Sequence, residues 1–145
     1  MIEVNEMSFR DGFRNLIEDV YKREREREEE LVQNIQKKNH AIARYGEGIR
    51  KICSEFCKRV GYELKVHEHS ENRQGLRFQE IKEVYLTVYL GPKGYSVIMV
   101  EFRIDCVRIY PNTDVRFDEI CLPFAEFSEE KLAESLKTAY KQLMG

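Results

Sequence analysis

Apolar residues recur every three or four positions through the first part of the chain, which is the spacing of one helix face. Between residues 8 and 21 these positions are Phe9, Phe13, Leu16, Ile17, Val20 and Tyr21. Ser8 precedes them, and its hydroxyl can accept a hydrogen bond from the first turn of a helix. The pattern therefore predicts an amphipathic helix that begins at Ser8.

Nine consecutive charged residues follow, from Lys22 to Glu30. Opposite charges three or four residues apart, such as Arg25 and Glu29, each stabilise a helix by about 0.2–0.5 kcal/mol. A helix that is polar on every side has no face to bury. We therefore expect residues 21–30 to form an exposed helix or to be partly disordered.

A second apolar stripe fits a heptad repeat in which Lys38 interrupts the d positions. The a positions are Ile35, Ile42, Ile49 and Phe56, and the d positions are Leu31, Tyr45 and Ile52. Because β-branched residues at a favour paired helices, the stripe predicts a coiled-coil seam that includes Ile35 and Ile42. The seam either folds onto the protein's own sheet or meets a second copy of the chain.

Two glycines, Gly46 and Gly48, lie within this stripe, and each costs a helix interior about 1 kcal/mol. Gly46 is also a suitable residue to end one helix before another begins. The sequence therefore predicts a break or kink at Gly46–Gly48 and leaves open a helical arm or a helical hairpin. We divide the chain there, into a highly charged arm over residues 1–46 and an α+β domain over residues 47–145.

The periodicity changes from helical to alternating after Gly61. Residues 62–67 alternate between apolar and polar, as in a half-buried strand, and His69 to Gly75 predict a polar loop. Residues 84–90 and 95–104 are rich in β-branched and aromatic side chains. Between them, Gly-Pro-Lys-Gly predicts a hairpin turn, because proline fixes one backbone angle and glycine adopts positive φ.

The rest of the chain completes an alternating and then helical pattern. A change of phase at Asp105 predicts a turn or bulge, and residues 111–114 predict another turn. We expect a last strand over residues 115–121 and a C-terminal helix capped by Ser128. The order predicts an α+β fold, with an N-terminal helical arm or hairpin and an antiparallel meander of four or five strands closed by a C-terminal helix.

The cysteines, histidines and short motifs of the sequence do not indicate a metal site or an active site. The cysteines Cys53, Cys57, Cys106 and Cys121 lie in helix-like or strand-like segments, which favours reduced core thiols over a disulfide framework. Cys53 and Cys57 with His67 and His69 do not have the spacing of a standard zinc site. No nucleophile elbow or phosphate-binding loop is present. We therefore predict no metal and no cofactor, and we assign no catalytic residue.

Charge and hydropathy narrow the range of partners. The chain has 24 basic and 26 acidic side chains, a net charge of −2, which gives no general attraction to nucleic acid or anionic membranes. The N-terminus lacks the pattern of a signal peptide, and no apolar run approaches the roughly 20 residues of a membrane span. We expect a cytoplasmic protein that contacts no membrane and whose favoured partner is a protein rather than nucleic acid.

The central hairpin suggests how the protein functions. Val84, Leu86 and Val88 alternate with Tyr85, Thr87 and Tyr89, and a sheet with two apolar faces must be covered on both. The second face would be covered by the chain's own helix over residues 49–60, by a second copy in a homodimer or larger, or by a protein partner. The sequence favours a non-catalytic protein-interaction or oligomerisation module. The residues expected to bind the partner are Tyr85, Thr87, Tyr89, Ile35 and Ile42. A small enzyme or ligand-binding domain with an unrecognised pocket, and a nucleic-acid-associated factor, are the alternatives.

Overall fold

The first helix dominates the shape of the molecule. The computed structural model describes residues 2–74, 80–112 and 118–145, with side chains from Phe9 onward. Helix α1 spans Ile2–Val60, a length of 59 residues or roughly 90 Å. The predicted start at Ser8 is wrong, because the helix begins before it.

Helix α1 continues through Gly46 and Gly48 without interruption, so the predicted break is wrong. Gly46 is buried, and a Cβ there would lie 3.4 Å from a methyl group of Leu86. Gly48 lies against the carboxylate of Glu129. The close packing that Gly46 permits against Leu86 offsets part of its cost to the helix. Of the two arrangements left open, the structure has the arm.

The end of α1 agrees with the sequence. Gly61 adopts a φ of 75°, a backbone conformation that favours glycine. The amide of Tyr62 donates a hydrogen bond of 2.9 Å to the carbonyl of Cys57, which is the bonding pattern of a Schellman-type helix end. The predicted end of the helical region at Gly61 is confirmed.

Five antiparallel strands form one sheet in the order β1-β2-β3-β4-β5, which confirms the meander. Their bounds are β1 Glu63–Gln74, β2 Glu80–Gly91, β3 Ile98–Phe102, β4 Cys106–Pro111 and β5 Ile120–Pro123. The loop predicted from His69 is wrong as far as Gln74, because these residues pair with β2. Cross-strand contacts stabilise this polar strand: the ring of His69 stacks on Tyr85 at 4.7 Å. Gly75 lies outside the described residues.

Turns connect the strands where the sequence predicts them. Gly94 adopts a φ of 88°, and the amide of Tyr95 donates to the carbonyl of Pro92, which confirms the hairpin turn. The amide of Arg103 donates to the carbonyl of Cys106, which confirms a turn around Asp105. Residues 113–117, in the second predicted turn and the last predicted strand, lie outside the described residues.

The C-terminal helix α2 spans Glu129–Met144, and Ser128 caps it by accepting a hydrogen bond from the amide of Lys131. Its buried residues lie on the same face of the sheet as α1; we call this the helix face, and the other the open face. Within the described residues, neither helix has an apolar stretch that would cross a bilayer. The main core side chains are Ile49, Cys53, Leu86, Val88, Leu90, Ile98, Val100, Val107, Ile109, Leu132 and Leu136.

Candidate protein-interaction site

Among the described residues, the largest group of exposed apolar side chains lies on the arm. It consists of Phe9, Phe13, Leu16, Ile17, Val20 and Tyr21, which we call the arm stripe, and these side chains are between 40% and 76% exposed. At roughly 100 Å² of exposed surface for each large side chain, the stripe presents about 600 Å². Contiguous apolar surface of this size on a soluble domain commonly marks an interaction site.

The arm stripe continues the buried face of the same helix. Val20, Leu31 and Ile42 are spaced by eleven residues, which is close to three helical turns, so they lie on one side of α1. Ile42 contacts the sheet, whereas Val20 faces solvent. The charged run from Lys22 to Glu30 separates the two parts, and it is helical and exposed apart from the half-exposed Glu28, as predicted.

Ile35 and Ile42, two of the predicted partner-binding residues, are buried within the chain. Their exposed fractions are 2% and 6%, and Ile42 belongs to the core formed by α1, the sheet and α2. Of the two arrangements predicted for the seam, the structure therefore has the one in which it packs on the protein's own sheet. Burial begins at Ile35, before the domain division at residue 46 that the sequence suggested.

Tyr85, Thr87 and Tyr89, the other predicted partner-binding residues, lie together on the open face and are half-buried. Of these three side chains, Tyr85 contacts α1 through Lys38. Their neighbours on this face are polar as well as apolar. Cross-strand pairing places Lys65 beside Tyr89 and Glu101 beside Thr87. The open face is therefore a mixed aromatic and charged surface, less apolar than the sequence suggested.

A buried carboxylate organises one end of the open face. The Glu83 side chain accepts hydrogen bonds from Lys38 at 2.8 Å and from the hydroxyl of Tyr85, and it pairs with Arg73 at 2.9 Å. Lys38 reaches it from α1, with its ammonium 4.0 Å from the centre of the Tyr85 ring. Lys38 and Glu83 are buried as an ion pair, so each neutralises the charge of the other.

The electrostatics of this cluster keep Glu83 ionised. Burial raises the pKa of its carboxyl, but hydrogen bonds from Lys38 and Tyr85, together with the charges of Lys38 and Arg73, outweigh burial and leave the pKa below its ordinary value. The hydrogen bond to Glu83 in turn raises the pKa of Tyr85. The cluster therefore fixes the arm helix to the sheet at neutral pH.

A cleft of about 500 Å³ lies on the open face beside this cluster. Its charged lining residues are Lys38, Arg73, Arg103, Arg108, Glu83, Glu101, Asp105 and Glu119. Each of the four basic side chains pairs with a carboxylate of the same cleft. A ligand entering it would have to displace these ion pairs, so the cleft supports a binding function less well than the arm stripe does.

The thiols differ in their surroundings. Cys53 and Cys57 are buried, as predicted for core cysteines, whereas Cys106 is half-buried and Cys121 is exposed, so the prediction is wrong for those two. Cys106 is the first residue of β4, and Cys121 lies on the edge strand β5. Burial, and to a smaller extent the neighbouring thiol of Cys57, raises the pKa of Cys53 to about 12. Burial, followed by a hydrogen bond with Cys121, also raises the pKa of Cys106 to about 12, which disfavours a reactive thiolate.

The structure separates the cysteines and histidines that were weighed as a zinc site. Cys53 and Cys57 face the core, whereas His67 and His69 are exposed on β1, and cross-strand pairing with Thr87 and Tyr85 places them on the open face. Within residues 2–74, 80–112 and 118–145, no three His, Cys, Asp or Glu side chains are arranged to hold a metal ion.

Sequence reasoning missed the roles of Lys38 and Asn39, which join α1 to the edge of β2. The signal for Lys38 was its interruption of an otherwise apolar d series. Asn39 donates to the carbonyl of Lys82 and accepts from the amide of Val84, where β3 has already ended. No local pattern identifies Asn39, because its partners are more than forty residues away along the chain.

Comparisons of the chain with protein-family models, curated proteins and solved structures found no match.

Proposed function

We propose that this chain is a non-catalytic protein-interaction module that self-associates through its arm stripe. The observation that carries the proposal is the exposed apolar face of α1 between Phe9 and Tyr21. A standard protein interface buries roughly 800 Å² on each partner, and the stripe offers about three quarters of that before any polar rim is counted. The favoured occupant is the same stripe of a second copy.

Charges at the ends of the stripe favour an antiparallel pair. The next position on this face before Phe9 is Glu6, and the next after Val20 is Arg23. When two copies pack with Phe9 opposite Val20, Glu6 of each copy lies opposite Arg23 of the other. A parallel pair would instead place Glu6 against Glu6 and Arg23 against Arg23, which is repulsive.

This arrangement assigns a role to the charged run. The centre of the antiparallel pair lies between residues 14 and 15, and burial on the sheet begins at Ile35. About 20 residues of helix, or roughly 30 Å, therefore separate that centre from each folded domain. The two domains would lie at opposite ends of the helix pair, held apart by a solvated spacer of Lys22–Glu30.

Light scattering coupled to gel filtration at tens of micromolar tests the proposal, because a Kd of a few micromolar gives a largely associated protein there. We expect Phe13→Asp to lower the molar mass by a factor of two or more. Arg23→Glu should do the same, and combining it with Glu6→Arg should restore assembly. Arg25→Glu makes the same change of charge away from the stripe and is the matched control.

The molar masses of these variants show whether the arm stripe is the interface and whether the two helices are antiparallel. A molar mass that Phe13→Asp leaves unchanged would overturn the proposal. A loss of assembly in Arg23→Glu that the Glu6→Arg combination does not reverse would overturn the antiparallel arrangement. Circular dichroism of each variant should show unchanged helix content, because Phe13, Arg23 and Arg25 are exposed.

A further inference from the structure

Strand β1 is a long, exposed edge of the sheet. It spans Glu63–Gln74, twelve residues, and all of them are exposed except the half-buried Leu64. An edge strand has backbone N–H and C=O groups without a strand partner, and these groups can pair with another chain. Charged side chains on an edge commonly prevent such pairing, so the order of their signs decides which partner β1 accepts.

Backbone geometry shows which residues of β1 point outward. The amide of Val84 and the carbonyl of Lys82 bond to Asn39 on the side of β2 away from β1. The backbone N–H and C=O groups of even-numbered residues of β2 therefore point away from β1, and those of odd-numbered residues point toward β1. Odd-numbered residues of β1 lie opposite odd-numbered residues of β2 and form the hydrogen bonds between the two strands. The backbone N–H and C=O groups of the even-numbered residues of β1, from Leu64 to Gln74, therefore point to the free edge.

Two copies of β1 are complementary in one antiparallel register. When Glu68 lies on the two-fold axis, the free backbone N–H and C=O groups of one copy lie opposite those of the other. These groups can then form the hydrogen bonds of an antiparallel strand pair. The side chains that meet on the open face are Glu63 with Arg73, Lys65 with Glu71 and His67 with His69 of the second copy. These are non-hydrogen-bonded pairs, whose side chains come closest.

Neighbouring registers lack this match. If one copy of β1 is shifted by two residues along the other, Glu63 lies opposite Glu71 of the second copy. A shift by two residues in the other direction places Lys65 opposite Arg73. Like charges directly opposite one another are destabilising. In the favoured register the two Glu68 carboxylates approach each other on the helix face, where Arg50 of the same chain forms an ion pair with each.

We infer that β1 is a second self-association surface, through which two copies join their sheets edge to edge with Lys65 opposite Glu71. This surface shares no residue with the arm stripe, and the contact does not depend on it. Both contacts are two-fold, so a chain that makes both links copies into a linear array. A chain that makes only the β1 contact forms a dimer.

Disulfide trapping tests the register directly, in a Cys121→Ser background that removes the exposed thiol. Glu68→Cys places two thiols across the axis, where paired Cα atoms are about 5.5 Å apart, within disulfide range. Asn72→Cys is the matched control, because two such residues lie about 27 Å apart along the strands. We expect disulfide-linked dimers for Glu68→Cys and none for Asn72→Cys, also in the Phe13→Asp background.

Charge reversal tests the pairing in the full chain. In the Phe13→Asp background we expect a dimer, which Lys65→Glu converts to a monomer and Lys65→Glu with Glu71→Lys restores. Equal trapping of Glu68→Cys and Asn72→Cys, or a molar mass that Lys65→Glu does not change, would overturn the β1 inference. Failure of the arm proposal would appear elsewhere, as a molar mass that Phe13→Asp leaves unchanged while Glu68→Cys is still trapped.

Discussion

Helix α1 passes through two different surroundings. From Ile35 onward its apolar residues face the sheet and α2, and Ile49 is fully buried there. From Phe9 to Tyr21 apolar residues at the same spacing face solvent. The spacing determines that both parts are helical and which side of the helix is apolar. It does not determine what covers that side.

The side chains themselves distinguish the two parts. The buried part intersperses Ile with the small residues Ala41, Gly46 and Cys53, all of which are buried. Small residues let a helix approach a sheet closely. The arm stripe has only large side chains, which suit packing between the ridges of a second helix. Residue size along an apolar stripe therefore carries information that periodicity alone omits.

The sharpest way to test the comparison is to make one substitution in each part. We expect Ile49→Ala to lower the free energy of unfolding by about 4 kcal/mol, because it leaves a cavity in the core. Ile17→Ala, on the arm, should change it by less than about 0.5 kcal/mol when both substitutions are made in the Phe13→Asp background, in which the arm does not associate. Urea denaturation followed by NMR signals of sheet amides measures both. Comparable losses for the two variants would show that the arm is also packed within the chain.

The next largest effect concerns the junction between arm and sheet. Glu83→Ala removes the carboxylate that pairs with the buried ammonium of Lys38, and we expect a loss of about 3 kcal/mol. Glu119→Ala removes an exposed partner of Arg108 and should cost much less, because water and salt screen an exposed ion pair. A similar cost for the two variants in denaturation would contradict a buried ion pair.

The same junction gives a dependence on pH. Because the pKa of Glu83 in the folded protein lies below its ordinary value of 4.5, its contribution is complete above that pH. It is lost as pH falls through the lower, folded pKa. We expect the free energy of unfolding to decrease less steeply below pH 4.5 in Glu83→Gln than in the parent chain, measured by urea denaturation across that range.

A smaller effect is expected at the uncovered edge of β2. Asn39→Ala removes the side chain that bonds the amide of Val84 and the carbonyl of Lys82. Water can reach these groups, so we expect a loss of about 1 kcal/mol. Hydrogen exchange at Val84 should accelerate, whereas exchange at Val88, which pairs with Val100, should not. Unchanged exchange at Val84 would show that Asn39 does not protect this edge.

Local signals in the sequence predicted those parts of the fold that local interactions decide. Ser128 caps α2, and Gly61 and Gly94 adopt the positive φ that their positions suggested. The extension of β1 beyond His69 could not be predicted, because its polar residues are stabilised by partners on β2. The continuity of α1 at Gly46 likewise depends on Leu86, far along the chain.

The candidate site was predictable only in part. The amphipathic pattern at residues 8–21 was visible, yet the partner-binding role was assigned to Ile35 and Ile42, whose pattern is equally apolar and more regular. Sequence patterns show which side of a helix is apolar, and only the position of the sheet shows which part remains exposed. The register of β1 required its pairing with β2, which no periodicity specifies.

The smallest expected effect concerns the two glycines at which a break was predicted. Gly48→Ala should stabilise the protein by about 0.5–1 kcal/mol, because alanine restricts the unfolded chain and favours the helix. A Cβ at this position would lie 2.9 Å from the carboxylate oxygen of Glu129, an exposed side chain that can move aside. Gly46 lies against the buried Leu86, so Gly46→Ala should gain less. Thermal denaturation compares the two, and a loss of stability in Gly48→Ala would show that Glu129 cannot move.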